Sequence, residues 1–189
     1  MHLDEKIRDI IEFWMIEAGP SRWYDVNVDF DLELRDRFEA TWRKAWQGGY
    51  GDWMRSAEGA LALILLCDQF PRNMFRGKGL AFASDPRARI LAAEAITSGF
   101  DLTLAEDARQ FIYLPFMHSE DLADQARAVE LFEDRGAAEN QRHARAHAAV
   151  IAQFGRFPWR NDALGRDTTA AEQAFIDAGG YAEILRREA

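Results

Sequence analysis

An all-α fold, a single domain of about eight helices in irregular antiparallel hairpins, is predicted by three features of the sequence. Apolar residues recur at helical spacing in segment after segment. Capping residues stand in front of these segments, and glycine or proline stands behind them. No stretch shows the sustained period-two alternation and β-branched enrichment of a strand. At 189 residues the chain is long enough to bury a sizeable core without staples, and one domain over 1–189 is expected.

The first helix is expected over Asp4–Glu17, with Ile7, Ile10, Ile11 and Trp14 at helical spacing and Gly19-Pro20 as its stop. Asp29 can cap a second helix whose apolar side carries Phe30, Leu34, Phe38, Trp42, Ala45 and Trp46, ended by Gly48-Gly49. A third helix starts near Asp52 and runs to Phe70. Its stretch Gly59–Cys67 is apolar all round, which marks a central core helix. Pro71 disfavours helical backbone at Phe70, so this helix is expected to end or kink there.

Asp85-Pro86 reads as a cap followed by proline at the first helical position, and Gly99 as the end of that helix. Thr103 with Glu106 forms a capping-box pattern for a short helix broken at Leu114-Pro115. Ser119 caps the next, with Glu120 and Asp121 in its first turn, and Gly136 closes it. Ala137–Phe154 is another helix, closed by Gly155. An irregular loop covers Arg156–Asp167. Thr169 and Glu172 then form a second capping box, and Gly179-Gly180 precedes a last short helix. The helices are too uneven for a strict repeat.

Composition narrows the function classes. The net charge of −9 argues against general nucleic-acid binding and against a polybasic membrane anchor. No apolar run is long enough to span a bilayer, and MHLDEKIRDII has neither the basic nor the apolar region of a signal peptide, so a cytoplasmic protein is expected. The one cysteine, Cys67, lies inside the apolar run and reads as a buried structural thiol. No phosphate loop, nucleophile elbow or Cys-x-x-Cys pair is present, and no cofactor or metal is expected.

Three polar segments remain, each beside a proline and aromatics. In CDQFPRNMFRG, Asp68, Arg72 and Arg76 would share a helical face if the helix persisted through Pro71. They are either a local ion pair tidied by Asn73, the favoured reading for this segment alone, or an anion clamp of guanidinium forks. In FIYLPFMHSE, His118 either caps a helix with Ser119 or serves as a general acid/base. In FGRFPWRNDALGR, Arg156, Arg160 and Arg166 flank only Asp162. They can converge on an anion or tie the loop down through carbonyls. His143 and His147, four apart in HARAH, lack the further ligands of a zinc-protease motif and read as a structural or solvated pair.

LLCDQFPRNMFRG, YLPFMHSEDLADQ and FGRFPWRNDALGR, in this order, resemble the bacterial domain of unknown function nine-hundred-and-twenty-four. The resemblance covers nearly the whole chain. It implies a tetratricopeptide-like all-α fold and no particular activity. It also implies that Trp159 stands where relatives often carry histidine, which favours a binding wall over chemistry at that position.

The reading ranked first is a pocket for an anionic small molecule, a phosphate or carboxylate. Arg72, Arg76, Arg156 and Arg160 would bind the anion, Gln69, Asn73 and Asn161 would orient it, and Asp68 and His118 are the candidate acid/base pair. The alternatives are a helical-hairpin module that binds a protein or peptide partner in a groove, and a purely structural polar core.

Overall fold

The computed structural model describes residues 4–188, and every regular element among them is helical. The chain packs as two compact units. The first takes the chain up to Arg76 together with Leu80–Ile112. The second takes Gly77–Gly79 and the chain from Tyr113 onward.

In the first unit, α1 (Glu5–Glu12) is capped by the Asp4 carboxylate, which accepts from the Lys6 N–H. It continues as a π-helical segment, Phe13–Ala18. The wider turn re-phases the buried face, so Ile7, Ile10, Phe13, Trp14 and Ala18 are buried while Ile11 is not fully so. Helix α2 (Val28–Trp46) is capped by Asn27, which accepts from the Phe30 N–H, and not by Asp29. Asp29 falls instead in the first turn, where the helix dipole favours its charge. Phe30, Leu34, Phe38, Trp42 and Ala45 form the buried stripe expected of it.

The central helix differs most from expectation. It starts at Ser56, whose hydroxyl accepts from the Gly59 N–H, after a 3-10 turn over Gly51–Arg55. It runs as α3 (Ala57–Ile64), a π-helical segment (Leu65–Gln69) and α4 (Phe70–Met74), straight through Pro71. Proline is harmful inside a helix because it removes an N–H and leaves the carbonyl four residues earlier without its donor. Here that carbonyl, on Cys67, accepts from Ser84 Oγ at 2.6 Å, and the same Oγ accepts from Trp42 Nε1 at 3.0 Å. Ala60–Cys67 is buried on all sides, as its composition implies. Burial pushes the Cys67 thiol up to about 12, so it is a packing group and not a thiolate.

Helix α3 packs on α1 and on α5 (Asp85–Thr97), while α2 packs on α4 and the π segment before it. Phe38 lies between Phe13 and Phe70, with ring centroids 5.1 and 5.0 Å away, which makes the centre of this unit aromatic. Ser84, and not Asp85, occupies the cap position of α5, and the Asp85 carboxylate accepts from Arg72. Helix α6 (Glu106–Met117) is not broken at Pro115, which lies inside it. Burial of every residue from Phe111 to Met117 offsets the cost of the proline. Thr103 makes no capping box; its hydroxyl donates to the Phe100 carbonyl.

In the second unit, α7 (Leu122–Arg135) and α8 (Ala138–Phe154) pack as a hairpin joined through Gly136. Asp121, not Ser119, caps α7, accepting from the Ala123 and Asp124 N–H groups. Ser119 Oγ donates to Asp124 instead. Gly155 ends α8 at φ +68°, a left-handed turn that glycine adopts without strain. Helices α9 (Ala170–Asp177) and α10 (Gly180–Arg187) follow, and α10 packs on both α8 and α9. The capping box of Thr169 and Glu172 is present with both of its hydrogen bonds. No helix among the described residues is long and apolar enough to cross a membrane.

Candidate functional site

The first polar segment falls in the first unit. Pro71 does not interrupt the helix, so Asp68 and Arg72 share a face. Asp68 is 0% exposed; Gln69 Nε2 donates to its carboxylate at 2.6 Å, and Arg72 Nη1 lies 3.3 Å away. Arg72 Nη1 also donates to the Asp68 carbonyl. The Arg72 fork closes on the Asp85 carboxylate, with bonds of 2.9 and 3.0 Å. Burial opposes the Arg72 charge, but Asp68 and Asp85 outweigh it and its pKa is raised. Asn73 Nδ2 donates to Asp31 at 2.9 Å, and Arg76 forks onto Asp31 at 2.8 and 3.0 Å. Both expected clamp arginines of this segment are thus bidentate on carboxylates of their own unit.

His118, Arg156, Arg160 and Asn161 lie in the second unit. Arg156 forks onto Glu172 at 2.5 and 2.8 Å and donates to the Asp167 carbonyl at 2.8 Å. That guanidinium, with the Thr169 N–H, holds the Glu172 carboxyl well below the usual carboxylate range. Glu120 accepts from the Phe157 N–H at 2.8 Å and from both terminal nitrogens of Arg166 at 2.6 and 3.0 Å. Burial raises the Glu120 carboxyl, yet Arg166 and the Phe157 N–H more than offset it and the net shift is downward. Asn161 accepts from Arg166 Nε at 3.0 Å and donates to Thr168 at 3.2 Å. Arg156, Arg166, Asn161 and the two glutamates therefore pin the Arg156–Asp167 loop to α9 and to the residues before α7.

Arg160 is buried, with its guanidinium 4.6 Å over the Phe157 ring. Phe157 stacks on Trp159 at 4.8 Å, and Trp159 stays 42% exposed. Against this pair stands His147, which the sequence reads as part of a structural or solvated pair, together with Tyr181 and the candidate acid/base His118. The His147 ring lies 5.4 Å from Phe157, 6.1 Å from Trp159, 4.8 Å from Tyr181 and 6.3 Å from His118, between ring centroids. Tyr181 Oη is 2.5 Å from His143 Nδ1 and 3.2 Å from His147 Nδ1. Burial, with the nearby His118, lowers His147 to about 3, so its ring is neutral near pH 7. Burial lowers His143 as well.

A pH dependence follows. An unfolded histidine titrates near 6.5, and the folded His147 refuses that proton until about pH 3. The unfolded state thus binds more protons below pH 6.5, and stability must fall as pH drops through that window. Wild-type melting temperature is expected to fall between pH 7 and pH 5, before the glutamates protonate, and to fall less steeply in His147→Phe. Identical slopes in the two proteins would show that His147 is not the group responsible.

The sequence set His147 aside as one of a structural or solvated pair and did not point to Tyr181, while in the loop-pinning network it placed Glu120 in a helix first turn and left Arg166 between anion binding and a structural tie. One signal pointed to the last two: a locally basic loop in an acidic chain has to find carboxylates outside itself. His147 and Tyr181 are 34 positions apart, and no local pattern joins them.

Among the described residues every regular element is helical, and the polar motifs are held by ion pairs and hydrogen bonds within their own units. The chain belongs to the family described as "Bacterial protein of unknown function (DUF924)", whose model matches residues 10–180. It is similar to the solved structure of a protein of unknown function from Agrobacterium tumefaciens. The two share 44% identity over 91% of this chain and 97% of that one, with a TM-score of 0.87. A comparison with curated proteins finds no match.

Proposed function

We propose that the second unit binds an anionic small molecule, a phosphate or a carboxylate, at the cluster of His118, His147, Trp159 and Arg160. The observation that carries this reading is the meeting of two imidazoles, 6.3 Å apart, with a half-exposed indole beside a buried arginine. The positive charge of Arg160 acts on His147, and an aromatic wall gives a ligand an apolar face to rest on. His118 is the group for acid/base chemistry if the bound molecule reacts. Arg72 and Arg76, each bidentate on a carboxylate of the first unit, stand outside this reading.

A second reading has its own observation. A groove of about 420 Å³ is lined by Ala171, Phe175, Ala178 and Ile184 with Arg187 at its side, which suits a helical or extended peptide. The two readings separate in a thermal-shift screen against anionic metabolites. A ligand at about a hundred times its dissociation constant adds roughly 2.7 kcal/mol, or about 5–10 °C for a chain of this size. The shift is expected to vanish in Trp159→Ala and Arg160→Ala. Retention of the full shift in Trp159→Ala, which alters only a half-exposed side chain, would move the ligand elsewhere.

A further inference from the structure

The hydrogen bonds of His147 settle which of its nitrogens carries the proton. Its Nδ1 lies 2.8 Å from the His143 carbonyl oxygen. A carbonyl only accepts, so Nδ1 must be the N–H. The neighbours agree with that assignment. Tyr181 O–H donates to His143 Nδ1 at 2.5 Å, and its oxygen lone pair faces the His147 Nδ1–H at 3.2 Å. The His143 proton is then on Nε2, which lies 3.5 Å from Glu139 Oε1. One arrangement of protons serves the whole chain of contacts from Glu139 to His147, and in it every hydrogen bond of the His147 ring uses Nδ1.

A neutral imidazole has a single N–H. With that proton on Nδ1, Nε2 keeps a bare lone pair. The ring carrying it stands beside Trp159 and His118, in the field of Arg160. A site with positive charge and a fixed acceptor suits an anion that still carries a proton.

We infer that His147 Nε2 is the hydrogen-bond acceptor of this site, and that the site takes a phosphate that keeps a proton at neutral pH, hydrogen phosphate or dihydrogen phosphate, in preference to a fully deprotonated oxyanion. The inference rests on the anion-binding reading above and narrows its ligand. Sulfate has the shape and charge of phosphate but no proton at neutral pH. Against Nε2 it would set lone pair against lone pair, and sites built around one hydrogen bond reject analogues that lack the partner. Tyr181 and His143 are positioning residues, since they act on the ligand only through the His147 ring.

The test uses the full chain labelled with ¹⁵N-histidine, with inorganic phosphate and sulfate as probes at equal ionic strength and pH 7. Long-range ¹H–¹⁵N correlations report the tautomer of each ring, and His147→Phe assigns the His147 signals. The expected result is the Nδ1–H tautomer, phosphate bound at least about tenfold more tightly than sulfate, and movement of the His147 Nε2 resonance on adding phosphate. His147→Phe is expected to bind the two anions alike. An Nε2–H tautomer, or equal affinities in the wild-type protein, overturns this inference and leaves anion binding standing. Failure of both anions to bind overturns this inference, and failure of acetate and citrate in the same titration overturns the anion-binding reading along with it.

Discussion

Arg72→Ala is expected to lower the stability of the fold by about 3–5 kcal/mol, which for a chain of this length is a fall of roughly 6–20 °C in melting temperature. The side chain is 18% exposed and forks onto Asp85 while standing 3.3 Å from an Asp68 with no exposure at all. Removing it takes a guanidinium away from two carboxylates in a site that water scarcely reaches. Breaking such a pair costs far more than the pair itself contributes, because the remaining charge has lost its compensation. Arg76→Ala provides the contrast. Arg76 makes an equally good fork on Asp31, but it is 39% exposed, so water replaces much of what is lost and a change of about 0–1 kcal/mol is expected. Urea denaturation of both variants beside the wild type measures the difference. An Arg72→Ala protein that melts within two degrees of wild type would show the side chain to be free for another role, as the clamp reading of this segment required.

The helical class, the buried centre at Ala60–Cys67 and the capping box at Thr169 were legible because each depends on neighbours within a turn or two. The π-helical segments at Phe13–Ala18 and Leu65–Gln69 were not. A sequence displays its apolar period, but one widened turn shifts that period by a single residue, and the packing of Phe13, Phe38 and Phe70 that goes with the wider turns joins residues far apart in the chain. Pro71 shows the same limit. The rule that proline ends a helix assumes that the carbonyl four residues back goes unpaired. Ser84, 17 residues along from Cys67, supplies the missing donor. Nothing near Pro71 announces it.

The polar segments divide in the same way. Asp68 with Arg72 was legible as a pair from its four-residue spacing. That Asp85 completes it was hidden, because Asp85 before Pro86 is also a good helix start. Glu120 was assigned to a helix start for its position beside Ser119. Its actual partners, the Phe157 N–H and Arg166, are 37 and 46 residues away. His147 was legible only as one of two histidines a turn apart; the rings of Phe157, Trp159 and Tyr181 that surround it come from the loop after α8 and from α10. Partners brought together by tertiary packing turned ambiguous residues into definite ones, and they did so in opposite directions: Arg156 into a structural tie, His147 into a candidate acceptor.

Gly59→Ala is expected to be as damaging as the loss of a core side chain, although it adds one methyl group. A Cβ built at Gly59 would lie 2.0 Å from the Trp53 carbonyl oxygen, 2.8 Å from its carbon and 3.0 Å from its Cα. All three are backbone atoms, so no side-chain rotation relieves the clash. The 3-10 turn of Gly51–Arg55 would have to leave α3. Trp53 would move with it, away from its stack on Tyr50 at 4.3 Å and its hydrogen bond to Asp4 at 3.2 Å. The Ser56 cap, which accepts from the Gly59 N–H itself, would be strained too. Overpacking in a tight core costs about 1–3 kcal/mol, and more where backbone must shift, so a loss of about 3 kcal/mol or greater is expected. Gly51→Ala, eight residues earlier, is the control. A Cβ there meets nothing within 4 Å and its φ is not positive, so it should be neutral or stabilising by about 0.4–1 kcal/mol through the unfolded chain. If both variants melt with the wild type, the turn does not pack on α3 as tightly as the Gly59 contact requires. If Gly59→Ala alone melts early, the approach of the Trp53 backbone to α3 is what demands glycine at that position.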